Sequence, residues 1–285
     1  MNLKYFLSKA IYYLFGTRIN YSFRYFHNRK HFPNFKNPKD LSERILASML
    51  SPAFTQVEKY VDKVKVRDYI RIKGLENILL NHYGMWKNPD KIDFAELPHA
   101  FALKTNNGCG NHVFCKDKSS LNIEDCVNRL KKNLEKVEAF ESSLEPQYKA
   151  VSPLVFCEEL IDTGSDRWPT DYKFMCINGV PDHIFLGTER ETKVKYGTFD
   201  LEWNILPYTK KEFMPKSYPK KPKYLKEMAE IAKVLSEYFD FVRVDLYEYE
   251  DKIYFGELTF SPWGGFLYSY TDESLKIMGK KFIKK

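Results

Sequence analysis

Two short apolar segments near the C-terminus, separated by a charged turn, carry charged side chains at alternating positions. In a strand, side chains alternate between faces, so Arg243 and Asp245 share one face and Glu257 and Thr259 share a face of the partner strand. Carboxylates on such a sheet face are costly unless a cation lies beside them. Oxygen ligands from two adjacent strands suit Mg²⁺. The pattern therefore predicts a magnesium site, and a structural ion-pair cluster of Arg243, Asp245 and Glu257 is the alternative.

A second candidate site is a turn rich in Gly and Asn. A strand over residues 100–103 runs into the turn at 104–111, and another strand follows at 113–115. Glycine has no Cβ, so the backbone N–H groups of such a turn can approach phosphate oxygens closely. Lys104 could place its ammonium on a phosphate. The turn is not a P-loop, because GxxxxGK[ST] is absent and a strand follows. An ordinary hairpin is the alternative.

The rest of the chain predicts alternating helices and strands that would position these two sites. Hydrophobic periodicity and turn residues are the signals that define the elements. Helices are predicted over residues 41–50, 57–70, 121–140 and 224–239, and strands over 154–161, 172–177, 183–186, 241–247 and 253–259. The Pro- and Lys-rich residues 204–223 are predicted to form a loop.

Composition places the chain among soluble globular proteins. It has 285 residues, of which 44% are hydrophobic and 29% charged. No apolar stretch approaches the roughly 20 residues of a membrane span, and Lys9 together with the lack of a small-residue cleavage site argues against a signal peptide. The five cysteines are scattered without a CxxC pair, which favours reduced thiols. We therefore expect a cytoplasmic protein, with no nucleic-acid partner.

The N-terminal residues are strongly basic. Residues 1–39 contain eight Lys and Arg and no Asp or Glu, so residues 40–285 carry a net charge of −1 within a total of +7. Apolar residues between Leu3 and Phe15 recur at helical spacing, which predicts an amphipathic helix. Such a helix suits peripheral contact with anionic lipid at the inner face of the membrane. A helix packed on the protein's own core is the alternative, and we favour it.

The order of these features resembles ATP-grasp enzymes, and in particular the TupA-like ATP-grasp family, which is linked to teichuronopeptide and surface-polysaccharide biosynthesis. The resemblance spans about residues 35–270. It is carried by the segments 62–69, 101–110, 171–179, 199–204, 239–245 and 255–262.

This resemblance implies an α+β protein with the ATP-grasp fold, in which the nucleotide is held between two α+β lobes. Residues 1–50 would be a basic helical N-terminal extension, and residues 51–285 the catalytic region. Within that region, the smaller nucleotide-binding lobe would lie at about 100–162 and the metal-binding lobe at about 163–275.

The resemblance also assigns the nucleotide contacts. It implies that Lys63 and Lys104 bind the phosphates of ATP, with Arg67 as a second candidate for the role of Lys63. The segment Glu158–Ile161 would run along the adenine, and Asp171 would face the ribose. The remaining contacts are implied for Asn106, Asn107, Gly108, Gly110, Glu158, Glu159 and Ile161.

The metal and catalytic residues follow from the same resemblance. Asp245 and Glu257 would ligate Mg²⁺, and Arg243 and Lys104 would stabilise the transferred phosphoryl group. The third metal position, commonly Asn in the superfamily, is Thr259, whose neutral hydroxyl can still complete an oxygen shell. This difference leaves the number of magnesium ions open, at one or two.

The function implied is an ATP- and Mg²⁺-dependent enzyme of surface-polysaccharide biosynthesis. As a carboxylate–amine ligase it would join a carboxylated sugar or polysaccharide precursor to an amine such as an amino acid, through an acyl phosphate. A glycosyltransferase and a non-catalytic nucleotide-binding partner are the alternatives. The first 150 residues show no doubly wound βα repeat, which argues against the glycosyltransferase.

Overall fold

A computed structural model of the chain describes residues 3–106, 112–135, 144–164, 169–188 and 194–282. The chain divides into two compact units. The first contains residues 1–54, 170–248 and 256–285, and the second contains residues 55–169 and 249–255. Each unit contains one antiparallel sheet and several helices. The domain boundaries expected from the sequence stay predictions.

The secondary structure of the described residues is mixed, as the sequence predicts. The helices are α1 (Leu3–Arg29), α2 (Leu41–Met49), α3 (Glu58–Val61), α4 (Val66–Ile72), α5 (Ile123–Glu135), α6 (Leu225–Ser236) and α7 (Asp272–Lys281). The strands are β1 (His82–Trp86), β2 (Phe101–Thr105), β3 (His112–Cys115), β4 (Val155–Glu158), β5 (Asp171–Ile177), β6 (Val180–Thr188), β7 (Lys195–Phe199), β8 (Phe241–Tyr249) and β9 (Lys252–Thr259).

The first unit contains a five-stranded sheet in the order β7-β6-β5-β8-β9. On one face, Phe174 lies opposite Val244 and Tyr172 opposite Leu246, and helix α6 packs on β5 and β6. Because side chains alternate, the other face of β5 and β8 carries the charged residues. The predicted division of β8 into an apolar face and a charged face is confirmed.

Tight turns connect the strands that carry these charges. Asn178 and Gly179 join β5 to β6, and Glu250 and Asp251 join β8 to β9. All four residues have positive φ, between 46° and 77°. Two-residue turns with this conformation match the right-handed twist of paired strands and fix the register of a hairpin. The hairpin predicted at Asn178-Gly179 is confirmed.

The second unit contains a four-stranded sheet in the order β1-β4-β2-β3, and all three neighbouring pairs are antiparallel. Helix α5 packs on β2 and β3. The core combines apolar side chains from α5 with those of the strands: Leu103, Val113, Cys126, Leu130, Val155 and Cys157. This core holds β2 and β4 side by side, which positions the residues at the start of the Gly/Asn turn.

Three sequence expectations differ from the structure. Strands β1 and β7 were not predicted, because Gly84 and Gly197 interrupt their patterns. The predicted helix over 57–70 is broken, since the Asp62 carboxylate accepts hydrogen bonds from the backbone N–H groups of Val64 and Lys65. The predicted strand over 154–161 ends at Glu158.

Helix α1 bends sharply at Gly16, which has φ 79°. The Asn20 amide donates to Ser8 Oγ at 3.0 Å, whereas a straight helix would separate these residues by about 18 Å. Beyond the bend, Tyr21 and Tyr25 are buried. Before it, Leu14 is 74% exposed. None of the described helices has the length and apolar character needed to cross a bilayer.

Candidate functional site

Charged side chains of β5, β8 and β9 form a continuous network on one face of the sheet. Arg243 Nε donates to Asp245 Oδ1 at 2.7 Å, and its Nη2 donates to Asp245 Oδ2 at 2.6 Å and to Glu257 Oε1 at 2.8 Å. Thr259 Oγ1 donates to the same Glu257 oxygen at 2.8 Å. The structure therefore brings Arg243, Asp245, Glu257 and Thr259 together, as their alternation predicts.

Lys173 is a member of this network that sequence reasoning missed. It lies opposite Asp245 in the β5–β8 register, and its Nζ donates to Asp245 Oδ2 at 2.6 Å. The same ammonium pairs with Asp171, so the residue implied for the ribose joins this network. The available signal was the Asp171-x-Lys173 alternation on a predicted strand. We call Asp171, Lys173, Arg243, Asp245 and Glu257 the carboxylate cluster.

The carboxylate cluster has an excess of negative charge. Three carboxylates face two cations, and Arg243 and Asp245 are buried, with 7% and 1% exposure. Burial raises the pKa of the Asp245 carboxyl to about 6, and Asp171 and Glu257 add to the rise, while Arg243 and Lys173 oppose it. The two bound cations thus leave part of the burial cost uncompensated. A further cation beside Asp245 and Glu257 would reduce that cost.

These residues fit a magnesium ion that also has ligands from elsewhere. Among the described residues, no group of three or more His, Cys, Asp or Glu side chains is arranged to hold a metal. Mg²⁺ is commonly bound through one or two carboxylates together with substrate phosphates, so Asp245 and Glu257 suffice in number and chemistry. The Glu257 side chain is 33% exposed. The ion pairs of the alternative interpretation are present, and the metal roles of Asp245, Glu257 and Thr259 stay predictions.

In the second unit, two cations share one carboxylate. Lys104 of β2 donates from Nζ to Glu158 Oε1 at 2.5 Å, and Arg67 Nη1 lies 3.8 Å from Glu158 Oε2. Arg67 also donates to the Leu80 carbonyl at 2.6 Å. Burial lowers the pKa of Arg67, and the charge of Glu158 opposes this shift. The structure thus places Lys104, Arg67 and Glu158 together, although 54 residues separate Lys104 from Glu158.

Asn106 anchors the start of the Gly/Asn turn. Its fully buried side chain donates to Asp62 Oδ2 at 2.9 Å and to the Ser152 carbonyl at 3.1 Å, and its Oδ1 accepts from the Leu154 N–H. The Lys63 N–H donates to the Asn106 carbonyl at 3.4 Å. Asn106 therefore brings Lys63 beside the turn, while its own amide is used within the fold.

Replacing this amide should weaken the protein measurably. We expect Asn106→Ala to lower the free energy of unfolding by about 1–3 kcal/mol, because buried partners lose their hydrogen bonds. Urea unfolding measures the change. The exposed Asn37→Ala is the control and should leave the midpoint unchanged. An Asn106→Ala protein with the wild-type midpoint would contradict the anchoring role.

The other implied nucleotide contacts differ in what the structure shows. Glu159 lies just after β4, its N–H donates to the Asn81 carbonyl at 2.9 Å, and its carboxylate accepts from the Asn81 amide at 2.8 Å. Its backbone N–H is thus engaged with β1's entry rather than extending β4. Ile161 is half-buried beyond the strand. Asn107, Gly108 and Gly110 lie outside the described residues.

Comparison of the sequence with protein families gives one match. The model of the TupA-like ATP-grasp family matches residues 43–283. The chain belongs to the TupA-like ATP-grasp family. The match includes all the predicted site residues, from Lys63 to Thr259. Membership confirms the expected family and the ATP-grasp, α+β fold class.

Solved structures similar to this TupA-like chain include ligases of low sequence identity. D-alanine–D-alanine ligase from Bacillus anthracis shares 15% identity over 85% of this chain and 68% of its own, with a TM-score of 0.45. The Helicobacter pylori enzyme shares 15% over 79% of this chain and 61% of its own, at 0.40. D-cycloserine synthetase DcsG shares 15% over 79% and 70%, at 0.43. The chain thus spans about three fifths of the H. pylori enzyme. No curated protein matches the chain.

Proposed function

We propose that this TupA-like ATP-grasp chain is an ATP- and Mg²⁺-dependent carboxylate–amine ligase of surface-polysaccharide biosynthesis. The observation that carries the proposal is the family match over residues 43–283. ATP-grasp enzymes bind ATP, and membership supports an ATP-dependent ligase. The carboxylate cluster, with its excess negative charge and oxygen ligands, supports the use of Mg²⁺.

In the second unit, the proposed task is to bind the phosphates of ATP. Lys104 and Lys63 supply positive charge, and the Gly/Asn turn that Asn106 anchors supplies backbone N–H groups. Arg67 stays a second candidate, since it shares the Glu158 carboxylate with Lys104. An ammonium contacts a phosphate as a point charge without a fixed geometry. Lys104 can therefore turn from Glu158 to a phosphate by rotating its side chain.

In the first unit, the proposed task is to stabilise the transferring phosphoryl group. Arg243 presents a planar set of donors held in place by Asp245 and Glu257. Lys173 fixes the Asp245 carboxylate from the opposite side. Magnesium held by Asp245 and Glu257, with Thr259 beside them, would neutralise charge on the phosphates. These residues act by position and charge, without covalent participation.

The proposed reaction has two steps. A substrate carboxylate oxygen attacks the γ-phosphorus of ATP, the bond to ADP breaks, and an acyl phosphate forms. An amine then attacks the acyl carbon, phosphate leaves, and the amine nitrogen gives up one proton as the amide forms. We propose a carboxylated sugar or polysaccharide precursor and an amino acid as the substrates. The buried free thiols of Cys115, Cys126, Cys157 and Cys176 agree with a reducing, cytoplasmic setting.

The nucleotide products test this mechanism. We expect ADP and phosphate when the purified protein is incubated with ATP, Mg²⁺ and pools of uronic acids and amino acids, since the γ-phosphoryl group is transferred. Hydroxylamine should trap the activated carboxylate as a hydroxamate, measured by mass spectrometry. Omitting the carboxylate pool is the control. AMP and pyrophosphate as products would indicate adenylation and contradict the acyl phosphate.

A further inference from the structure

Exposed apolar side chains are concentrated at the N-terminus. Among the described residues, 19 large apolar side chains are exposed, and eight of them lie within a segment of 26 residues. They are Leu7, Tyr13, Leu14, Phe15, Ile19, Phe23, Phe26 and Phe32. We call these eight residues the N-terminal apolar patch. Single exposed apolar residues are ordinary on a soluble protein, but a contiguous set indicates a contact surface.

The second half of α1 has one face on the protein and the opposite face exposed. Tyr21 and Tyr25 are buried, with 0% and 1% exposure, and Tyr21 contacts Phe266 of the same unit. Ile19, Phe23 and Phe26 follow the i, i+4, i+7 spacing of one helix face and are 49%, 44% and 39% exposed. The apolar stripe therefore points away from the unit that the tyrosines pack against.

The bend at Gly16 places the most exposed members of the patch at one end of the bent helix. Tyr13, Leu14 and Phe15 directly precede the glycine and are 63%, 74% and 59% exposed. The expectation that this stripe packs on the protein's own core is therefore wrong for Leu7, Leu14 and Phe15. The periodicity was correct, but the helix does not bury these side chains.

The charges around the patch are of one sign. Residues 1–39 carry eight basic and no acidic side chains. Arg29 is buried and bound to Asp272 and to backbone carbonyls of the first unit. The exposed basic residues of the segment include Arg18, Lys30, Lys36 and Lys39. An occupant of this surface should therefore be apolar inside and anionic outside.

We propose that the N-terminal apolar patch docks on the surface of a bilayer that contains anionic lipids. Helices that lie in a membrane interface combine aromatic and aliphatic residues on one face with Lys and Arg beside them. The anionic headgroups complement the basic residues, and Tyr and Phe rings can enter the interface. A second copy of the chain is a poorer occupant, since two segments with a charge of +8 repel each other.

Vesicle co-sedimentation of the full-length protein tests this proposal. We expect wild type to pellet with phosphatidylcholine vesicles that contain phosphatidylserine and to stay in solution with pure phosphatidylcholine. Bound protein should fall as salt rises, because the Debye length shrinks from about 10 Å at 0.1 M to about 3 Å at 1 M. Protein that stays in solution with both vesicles at low salt would overturn the proposal.

Two triple variants separate the apolar and basic contributions. Tyr13→Gln/Leu14→Gln/Phe15→Gln should abolish binding. Arg18→Gln/Lys30→Gln/Lys36→Gln should weaken it roughly a hundredfold, since each near-surface charge contributes about 1 kcal/mol. Both changes affect exposed side chains, so thermal melts should stay cooperative.

Matched controls change the same residue types elsewhere on the surface. Ile72→Gln/Met85→Gln/Tyr238→Gln removes apolar side chains that are 81%, 58% and 69% exposed, and Lys226→Gln/Lys233→Gln/Lys252→Gln removes exposed charges. Both controls should bind like wild type. Equal losses in controls and patch variants would overturn the proposal. So would a concentration-dependent dimer, seen by analytical ultracentrifugation, that the apolar triple variant abolishes while vesicles bind nothing.

Discussion

Glu257→Gln is expected to reduce Mg²⁺-dependent ATP turnover by about a hundredfold or more while the protein stays folded. Glu257 accepts hydrogen bonds from Arg243 and Thr259 on one oxygen, and the glutamine carbonyl can accept both. The substitution thus preserves shape and removes one negative charge from the proposed metal ligands. Release of ADP with increasing Mg²⁺ measures the effect, and a thermal melt reports the fold.

Glu230→Gln is the matched control for this experiment. Glu230 is an exposed carboxylate on α6 of the same unit, and its loss should leave turnover unchanged. Asp245→Asn is a less selective test, because Asp245 accepts from two cations, Arg243 and Lys173, in a buried position. Breaking such a network costs about 3–5 kcal/mol and would lower activity by unfolding. Wild-type turnover in Glu257→Gln would contradict the magnesium site.

The faces of individual strands could be predicted from the sequence, because alternation is a local property of extended backbone. Arg243 and Asp245 share a face for this reason, and the structure confirms it. The partner of Asp245 on the neighbouring strand could not be predicted. Lys173 is 72 residues away, and only the register between β5 and β8 places it opposite Asp245. Register depends on the whole sheet and its turns.

The N-terminal helix shows a different limit of sequence reasoning. Its apolar periodicity predicts a helix with one apolar face, but the same pattern results whether that face meets protein or lipid. The favoured interpretation, packing on the core, holds for Tyr21 and Tyr25 and fails for Leu14 and Phe15. The bend at Gly16 separates the two halves. A single glycine in a helical pattern does not reveal how far the chain turns there.

Pairing between distant strands also decides what can be learned about Lys104. The sequence places it at the end of a strand before a glycine-rich turn, which indicates a phosphate contact. The structure adds its ion pair with Glu158, which only the alignment of β2 and β4 reveals. Lys104 thus has two candidate roles, as a ligand of phosphate and as a structural partner of Glu158. An experiment on Lys104 alone would not distinguish them.

Lys104→Met is expected to weaken ATP binding by roughly 10- to 150-fold, which corresponds to about 1.5–3 kcal/mol for a charge-assisted contact. Methionine keeps the length and the apolar stem of the side chain while removing the ammonium. Titration with ATP by calorimetry measures the change in Kd. A Kd equal to that of wild type would show that Lys104 does not contact the nucleotide.

Glu158→Gln supplies the comparison that separates the two roles. Both substitutions break the Lys104–Glu158 ion pair, so both should lower the urea midpoint to a similar extent. Only Lys104→Met removes a phosphate ligand, because the nucleotide contacts proposed for Glu158 use its backbone. Glu158→Gln also frees the Lys104 ammonium, so its ATP affinity should equal or exceed that of wild type. Equal weakening of ATP binding in both variants would instead assign Lys104 a purely structural role, since the shared loss would then follow the ion pair.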